Sequence, residues 1–123
     1  AKRSLTIERR LPGKELVGRS YRPPFDTYYA KMYRETGTLL SGQTQRHAWR
    51  IVPAEFVTTD SGTGAVHIAP AFGEADYDVL LAEQARFQPN QGPNLICAVD
   101  AEGKFTNEFP ECQGEWVKDA DKA

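Results

Sequence analysis

One continuous run constrains this chain more than any other: Asp60-Ser61-Gly62-Thr63-Gly64-Ala65-Val66-His67-Ile68-Ala69-Pro70-Ala71-Phe72-Gly73-Glu74-Ala75-Asp76-Tyr77. Gly62 and Gly64 open it with a backbone freedom that residues carrying a Cβ lack, so a tight turn is expected there. Residues 65–69 are apolar except for His67, the pattern of a short buried strand with one polar group among core neighbours. Pro70 and Gly73 then interrupt, and Glu74 and Asp76 fall where a first helical turn favours negative charge. One short loop therefore joins a histidine at a strand end to a carboxylate at a helix N-terminus. That is the geometry of a small site.

The rest of the chain reads as short strands. Residues 4–10 alternate Leu5 and Ile7 with Thr6 and Glu8, and residues 15–21 suggest a second strand after Pro12-Gly13. Arg22-Pro23-Pro24-Phe25 is expected to be extended, because each proline restricts the residue before it. Residues 26–36 are aromatic-rich and ambiguous, and residues 37–45 look like an exposed, mobile connection. Residues 46–59 give the strongest strand signal outside the central run, broken at Pro53. Residues 76–87 are helical in pattern, with Tyr77, Leu80, Leu81 and Phe87 near one face. Residues 95–100 form a further strand, Ala101-Glu102-Gly103-Lys104 a hairpin turn, Glu115-Trp116-Val117 a last strand or anchor, and residues 118–123 the opening of a helix. The expected class is β-rich, all-β to α+β, most simply a small barrel or sandwich with peripheral helices.

The chain of 123 residues suffices for one domain with a modest core. A formal charge of −2 gives no general basic footprint for nucleic acid. Locally, Lys2, Arg3, Arg9, Arg10, Lys14, Arg19 and Arg22 make a basic cluster in the first quarter. No apolar run reaches the length of a membrane span or the form of a signal peptide. Cys97 and Cys112 read as two reduced thiols of a cytoplasmic protein. His47, His67, Cys97 and Cys112 show no HxxxH, CxxC or HExxH spacing for a metal, and no GxSxG elbow points to a serine hydrolase.

The run from Gly62 to Tyr77 resembles the signature of the editing domain inserted into isoleucyl-tRNA synthetases. Valyl and leucyl relatives share the Gly-Thr-Gly-Ala-Val opening and the later aspartate, but usually differ over His-Ile-Ala-Pro-Ala-Phe-Gly. Leu16-Val17-Gly18-Arg19-Ser20-Tyr21-Arg22-Pro23-Pro24-Phe25 and Val99-Asp100-Ala101-Glu102-Gly103-Lys104-Phe105-Thr106 agree as well, so the resemblance covers nearly the whole chain. It implies a β-barrel core with outer helices. It also implies hydrolysis of valine misattached to the isoleucine-accepting tRNA, with the tRNA 3′ end and the rest of the synthetase as partners. The parent enzyme would use ATP and Mg, and this segment no cofactor.

The candidate site residues follow, each beside its plainer reading. His67 is either a half-buried histidine bonded to a backbone carbonyl or, as the resemblance implies, a residue lining the amino-acid pocket. Asp76 either complements the helix dipole, worth ~0.3–1 kcal/mol, or receives the α-ammonium of the misattached amino acid. Gly62, Thr63 and Gly64 form an ordinary turn or approach the terminal adenosine. Phe72 and Tyr77 are core aromatics or pocket wall. The need for such a site is physical: one methylene separates isoleucine from valine by only ~1–3 kcal/mol, a limit of which isoleucyl-tRNA synthetases are themselves the usual example.

The family's editing domain also carries an upstream run such as Thr-Thr-x-Pro-Trp. Thr58-Thr59 lies in the wrong place and lacks the Pro-Trp. The chain is therefore expected to begin after that segment, to stop inside a later helix, and to be inactive or nearly so in isolation. The rival reading is a non-catalytic module that contacts the tRNA acceptor end or the synthetase body. A stand-alone small-ester hydrolase is a third, weakened by the missing nucleophile motif.

Overall fold

The computed structural model describes residues 4–120. Lys2 and Arg3 of the basic cluster, and residues 121–123 of the expected helix opening, lie outside the described residues. A hairpin occupies the stretch that reads as a mobile connection. Its strands β1 (Thr36–Thr38) and β2 (Thr44–Arg46) pair antiparallel in the register Thr36↔Arg46, Gly37↔Gln45, Thr38↔Thr44. Threonine suits a pleated surface, and the left-handed Gly42 (φ +87°) helps turn the chain between the strands. The apolar alternation is weak because Gly37, not a large side chain, holds the buried position of β1.

The other edge of β1 continues the pairing. Leu39 bridges Phe87, the Leu40 N–H donates to the Arg86 carbonyl at 2.9 Å, and the Gln88 N–H donates to the Thr38 carbonyl at 2.9 Å. Leu39, Leu80 and Phe87 are the buried hydrophobic side chains among the described residues. His47 packs edge-on against Phe87 with ring centroids 5.4 Å apart, and its Nε2–H donates to the Gln91 carbonyl at 2.7 Å. The core is small, and the chain leaves 9817 Å² of surface accessible.

Two α-helices occur among the described residues. α1 (Tyr29–Met32) is a single turn inside the ambiguous aromatic stretch. α2 (Glu74–Gln84) starts after Gly73 with Glu74 and Asp76 in its first turn, where negative charge complements the unpaired N–H groups. It ends before Phe87; of the expected apolar face Leu80 and Phe87 are buried, while Tyr77 and Leu81 are exposed.

Several expected strands shrink to single bridges. Residues 4–10 carry no strand, and Leu5 is 90% exposed, because no described segment pairs with them. Residues 15–21 instead continue a 3₁₀ turn (Gly13–Glu15) into Gly18 at φ +85°, and only Ser20 bridges, to Arg50. Beyond Arg46, which ends β2, the stretch to residue 59 holds only that bridge, since Trp49 at φ +59° and Pro53 interrupt any longer ladder. Residues 95–100 retain the Val99↔Phe105 bridge. The expected turn at 101–104 is present: the Asp100 carboxylate accepts from the Glu102 and Lys104 N–H groups at 3.0 and 2.9 Å. Trp116 bridges Lys104, as an anchor rather than a strand. The architecture is β-rich to α+β, with antiparallel pairings, much irregular chain and no closed barrel among the described residues.

One ion-pair network, invisible in the sequence, ties α2 to the middle of the chain. Arg50 Nη2 donates to Glu83 Oε2 at 2.5 Å, with side chains only 5% and 12% exposed. Arg50 Nε donates to the Arg46 carbonyl, and Arg86 Nη1 donates to both Glu83 oxygens. Glu83→Gln leaves the buried guanidinium without its counter-ion. We expect a loss of about 3 kcal/mol, read as a lower urea midpoint; an unchanged midpoint would show the pair to be neutral in stability.

Candidate functional site

The central run folds as a turn, an unpaired irregular stretch, a tight loop and a helix start. Gly62 (φ +67°) and Gly64 (φ +74°) both adopt the left-handed conformation that a Cβ disfavours. Between them, the Thr63 hydroxyl donates to the Ala65 carbonyl at 3.1 Å and lies 3.3 Å from the Ala65 N–H. Its bonds therefore close the turn.

Residues 65–69 are not the buried strand their composition suggests. No described segment pairs with them, and Val66 and His67 are exposed. His67 makes no hydrogen bond among the described residues, which removes the half-buried, carbonyl-bonded reading.

Asp76 is the residue that shapes the loop. Its Oδ2 accepts the Ala69 N–H at 3.0 Å, while the Ala69 carbonyl accepts the Phe72 N–H at 2.9 Å. The Tyr77 N–H returns to the Gly73 carbonyl at 2.9 Å. Residues 69–73 are thus folded back onto the first turn of α2. A Cβ at Gly73 would stand 3.2 Å from Asp76 Oδ2, so the carboxylate lies close over the loop backbone. Its Oδ1 accepts no hydrogen bond among the described residues, and the side chain is half-buried. This clamping bond was missed by sequence reasoning. The seven-residue spacing across Pro-Ala-Phe-Gly was its only available signal.

Phe72 and Tyr77 flank the loop at 64% and 41% exposure, so neither is a core aromatic. The structure brings Asp76 onto the loop that carries His67 and Phe72, and leaves the whole run at the surface. Two open clefts lie elsewhere. One of about 260 Å³ is lined by Tyr28, Lys31, Met32, Ile96 and Glu108, and one of about 470 Å³ by Leu40, Phe87, Pro89 and Pro93. Neither includes a residue of 60–77.

No group of three His, Cys, Asp or Glu side chains among the described residues is placed to hold a metal. Cys97 and Cys112 are free thiols, the first exposed and the second half-covered. Burial, then the charges of Glu115 and Glu111, push the Cys112 thiol up from its ordinary value. Cys97 should therefore be alkylated by iodoacetamide severalfold faster at pH 8, measured by mass spectrometry of the tryptic peptides. Equal rates would contradict that difference.

The site is thus a half-buried carboxylate with one oxygen bonded to the backbone of a tight loop at the start of α2. Compared with known proteins, the chain has aminoacyl-tRNA synthetases as its relatives. Specifically, it matches a segment of isoleucine–tRNA ligases. The ligase of Chlamydia pneumoniae is 46% identical over 110 residues, covering 89% of this chain and 9% of that relative. The cytoplasmic ligase of Caenorhabditis elegans is 41% identical over 119 residues (97% of this chain, 9% of the relative). The cytoplasmic ligase of Saccharomyces cerevisiae is 40% identical over 116 residues (94% and 9%). The chain thus spans about a tenth of the length of the curated relatives it matches. No protein-family model matches it. No helix among the described residues is long and apolar enough to cross a membrane.

Proposed function

We propose that this chain is the part of an isoleucine–tRNA ligase that carries the amino-acid receptor for hydrolysis of Val-tRNA(Ile). The observation that carries the reading is Asp76, fixed by the Ala69 N–H through one oxygen and presenting the other unpaired. An ammonium group bound at that oxygen makes a charge-assisted hydrogen bond, the strong kind. Sequence similarity over about nine-tenths of the chain supports the same assignment.

In this reading the valyl ammonium sits on Asp76, with His67 and Phe72 bounding the aliphatic side chain. Gly62, Thr63 and Gly64 meet the terminal adenosine. Water adds to the ester carbonyl, the bond to the ribose oxygen breaks, and the ribose hydroxyl leaves with a proton as valine is released. The neighbouring ribose hydroxyl assists. ATP and Mg serve aminoacylation in other parts of the parent enzyme. In this reading no step passes through a metal.

The test is deacylation of Val-tRNA(Ile) by the full-length ligase, wild type against Asp76→Ala. Hydrolysis unchanged by the substitution overturns the reading. It would leave the rival in which this module only contacts the acceptor end or the synthetase body.

A further inference from the structure

Two stretches of this chain have the side chains of strands and backbones that pair with nothing. In the first, residues 4–11, Leu5, Ile7 and Leu11 are exposed, and no N–H or carbonyl is hydrogen-bonded among the described residues. In the second, Asn94, Leu95 and Ile96 open an apolar run that continues to Val99, and their backbone groups are likewise unbonded among the described residues. Unpaired backbone of this kind is a template for a further strand. The second stretch also lines the cleft of about 260 Å³, together with Met32 and Tyr28. The Tyr28 hydroxyl there is buried without a hydrogen-bond partner, a lack that a backbone group of an incoming strand would fill.

Cleft and arm are complementary in charge as well as in apolar surface. Glu35 and Glu108 line the cleft and form no ion pair among the described residues. Lys31 lines it too, but Glu111 adds a third carboxylate: after burial, the charges of Glu108 and Glu111 raise the Tyr28 phenol from its ordinary value. In a strand over residues 4–11, the two-residue period puts Leu5, Ile7 and Arg9 on one face. Arg9 contacts Glu15 at 3.5 Å with both side chains exposed, the kind of pair worth little, so it yields readily. The whole chain is segregated in the same sense. Residues 1–50 carry a formal +7 and residues 51–123 a formal −9, so the basic part of one copy is drawn to the acidic part of another.

We propose that two copies of this chain dimerise by exchanging residues 4–11. Each arm lays Leu5 and Ile7 on Leu95 and Ile96 of the other copy and sets Arg9 against its Glu108. The exchange is reciprocal, so a two-fold axis closes the assembly at two. It uses neither His67 nor Asp76 and stands whatever the fate of the hydrolytic reading. The test is sedimentation velocity of the full 123-residue chain at concentrations up to about 500 μM, the range a small interface requires. A species of twice the chain mass grows with concentration. Ile7→Asp weakens it at least about tenfold, and Arg9→Glu and Glu108→Arg each weaken it severalfold. Lys118→Gln, outside both surfaces, leaves it within about twofold. An equimolar mixture of the Arg9→Glu and Glu108→Arg chains recovers dimer, because each arm then meets a cleft of opposite charge. An arm folded back into the cleft of its own chain gains nothing from mixing. If circular dichroism shows Glu108→Arg to be perturbed, the exposed Glu35→Arg takes its place in the same mixture. A chain that stays monomeric at the highest concentration, a dimer indifferent to Ile7→Asp, a mixture no more dimeric than its components, or assemblies that grow beyond two would each overturn the proposal.

Discussion

Asp76→Ala in the full-length ligase carrying this segment is expected to lower Val-tRNA(Ile) hydrolysis by about a hundredfold with aminoacylation retained. That factor corresponds to loss of one hydrogen bond to a charged group, about 1.5–3 kcal/mol. Alanine also releases the Ala69 N–H, so it removes the loop clamp together with the charge. Asp76→Asn separates the two roles. Its amide oxygen still accepts the Ala69 N–H, but the negative charge is gone. If Asp76 receives the ammonium, asparagine loses nearly as much activity as alanine. If it only clamps the loop, asparagine hydrolyses like the wild type. A helix-dipole role alone predicts a stability change of ~0.3–1 kcal/mol and no selective loss of hydrolysis.

Gly37→Ala should be the most damaging single methyl in the chain. A Cβ at that position falls 1.8 Å from the Gln91 carbonyl oxygen and 2.7 Å from His47 Nε2. Both are themselves joined by the 2.7 Å hydrogen bond beside Phe87. The backbone carbonyl cannot swing away as a flexible side chain would, so the β1–β2 hairpin, the 88–91 turn or the His47 contact must give. We expect a loss of about 3 kcal/mol or more, at the upper end of overpacking costs, read in urea by the fluorescence of Trp49 and Trp116. An alanine variant as stable as the parent would mean that Gln91 does not lie against the hairpin.

The same position shows why the sequence reading went astray at residues 37–45. Strand detection depends on large apolar side chains alternating with polar ones. Here the buried member of β1 is a glycine, chosen for the approach of another backbone, so the hairpin carries little periodic signal. The reverse error occurred at residues 4–10 and 46–59. Their side chains favour strands, but a strand also needs a neighbour, and Trp49 at φ +59° breaks the one ladder available. The helix start was legible because its signals are local: Gly73, then acidic residues in the first turn. For the site, the loop joining His67 to Asp76 could be foreseen from spacing. The Ala69–Asp76 bond and the Arg50–Glu83 pair could not, since a hydrogen bond between distant residues leaves no mark on periodicity.

The thin centre formed by Leu39, Leu80 and Phe87 has a calorimetric consequence. The heat-capacity increment of unfolding comes mainly from apolar surface newly exposed to water. A chain that already shows Leu5, Ile7, Phe25, Leu40 and Phe72 to solvent has little left to expose. Its stability curve is therefore shallow, with neither a sharp maximum nor a steep fall on heating, and its thermal transition spreads over a wide range of temperature.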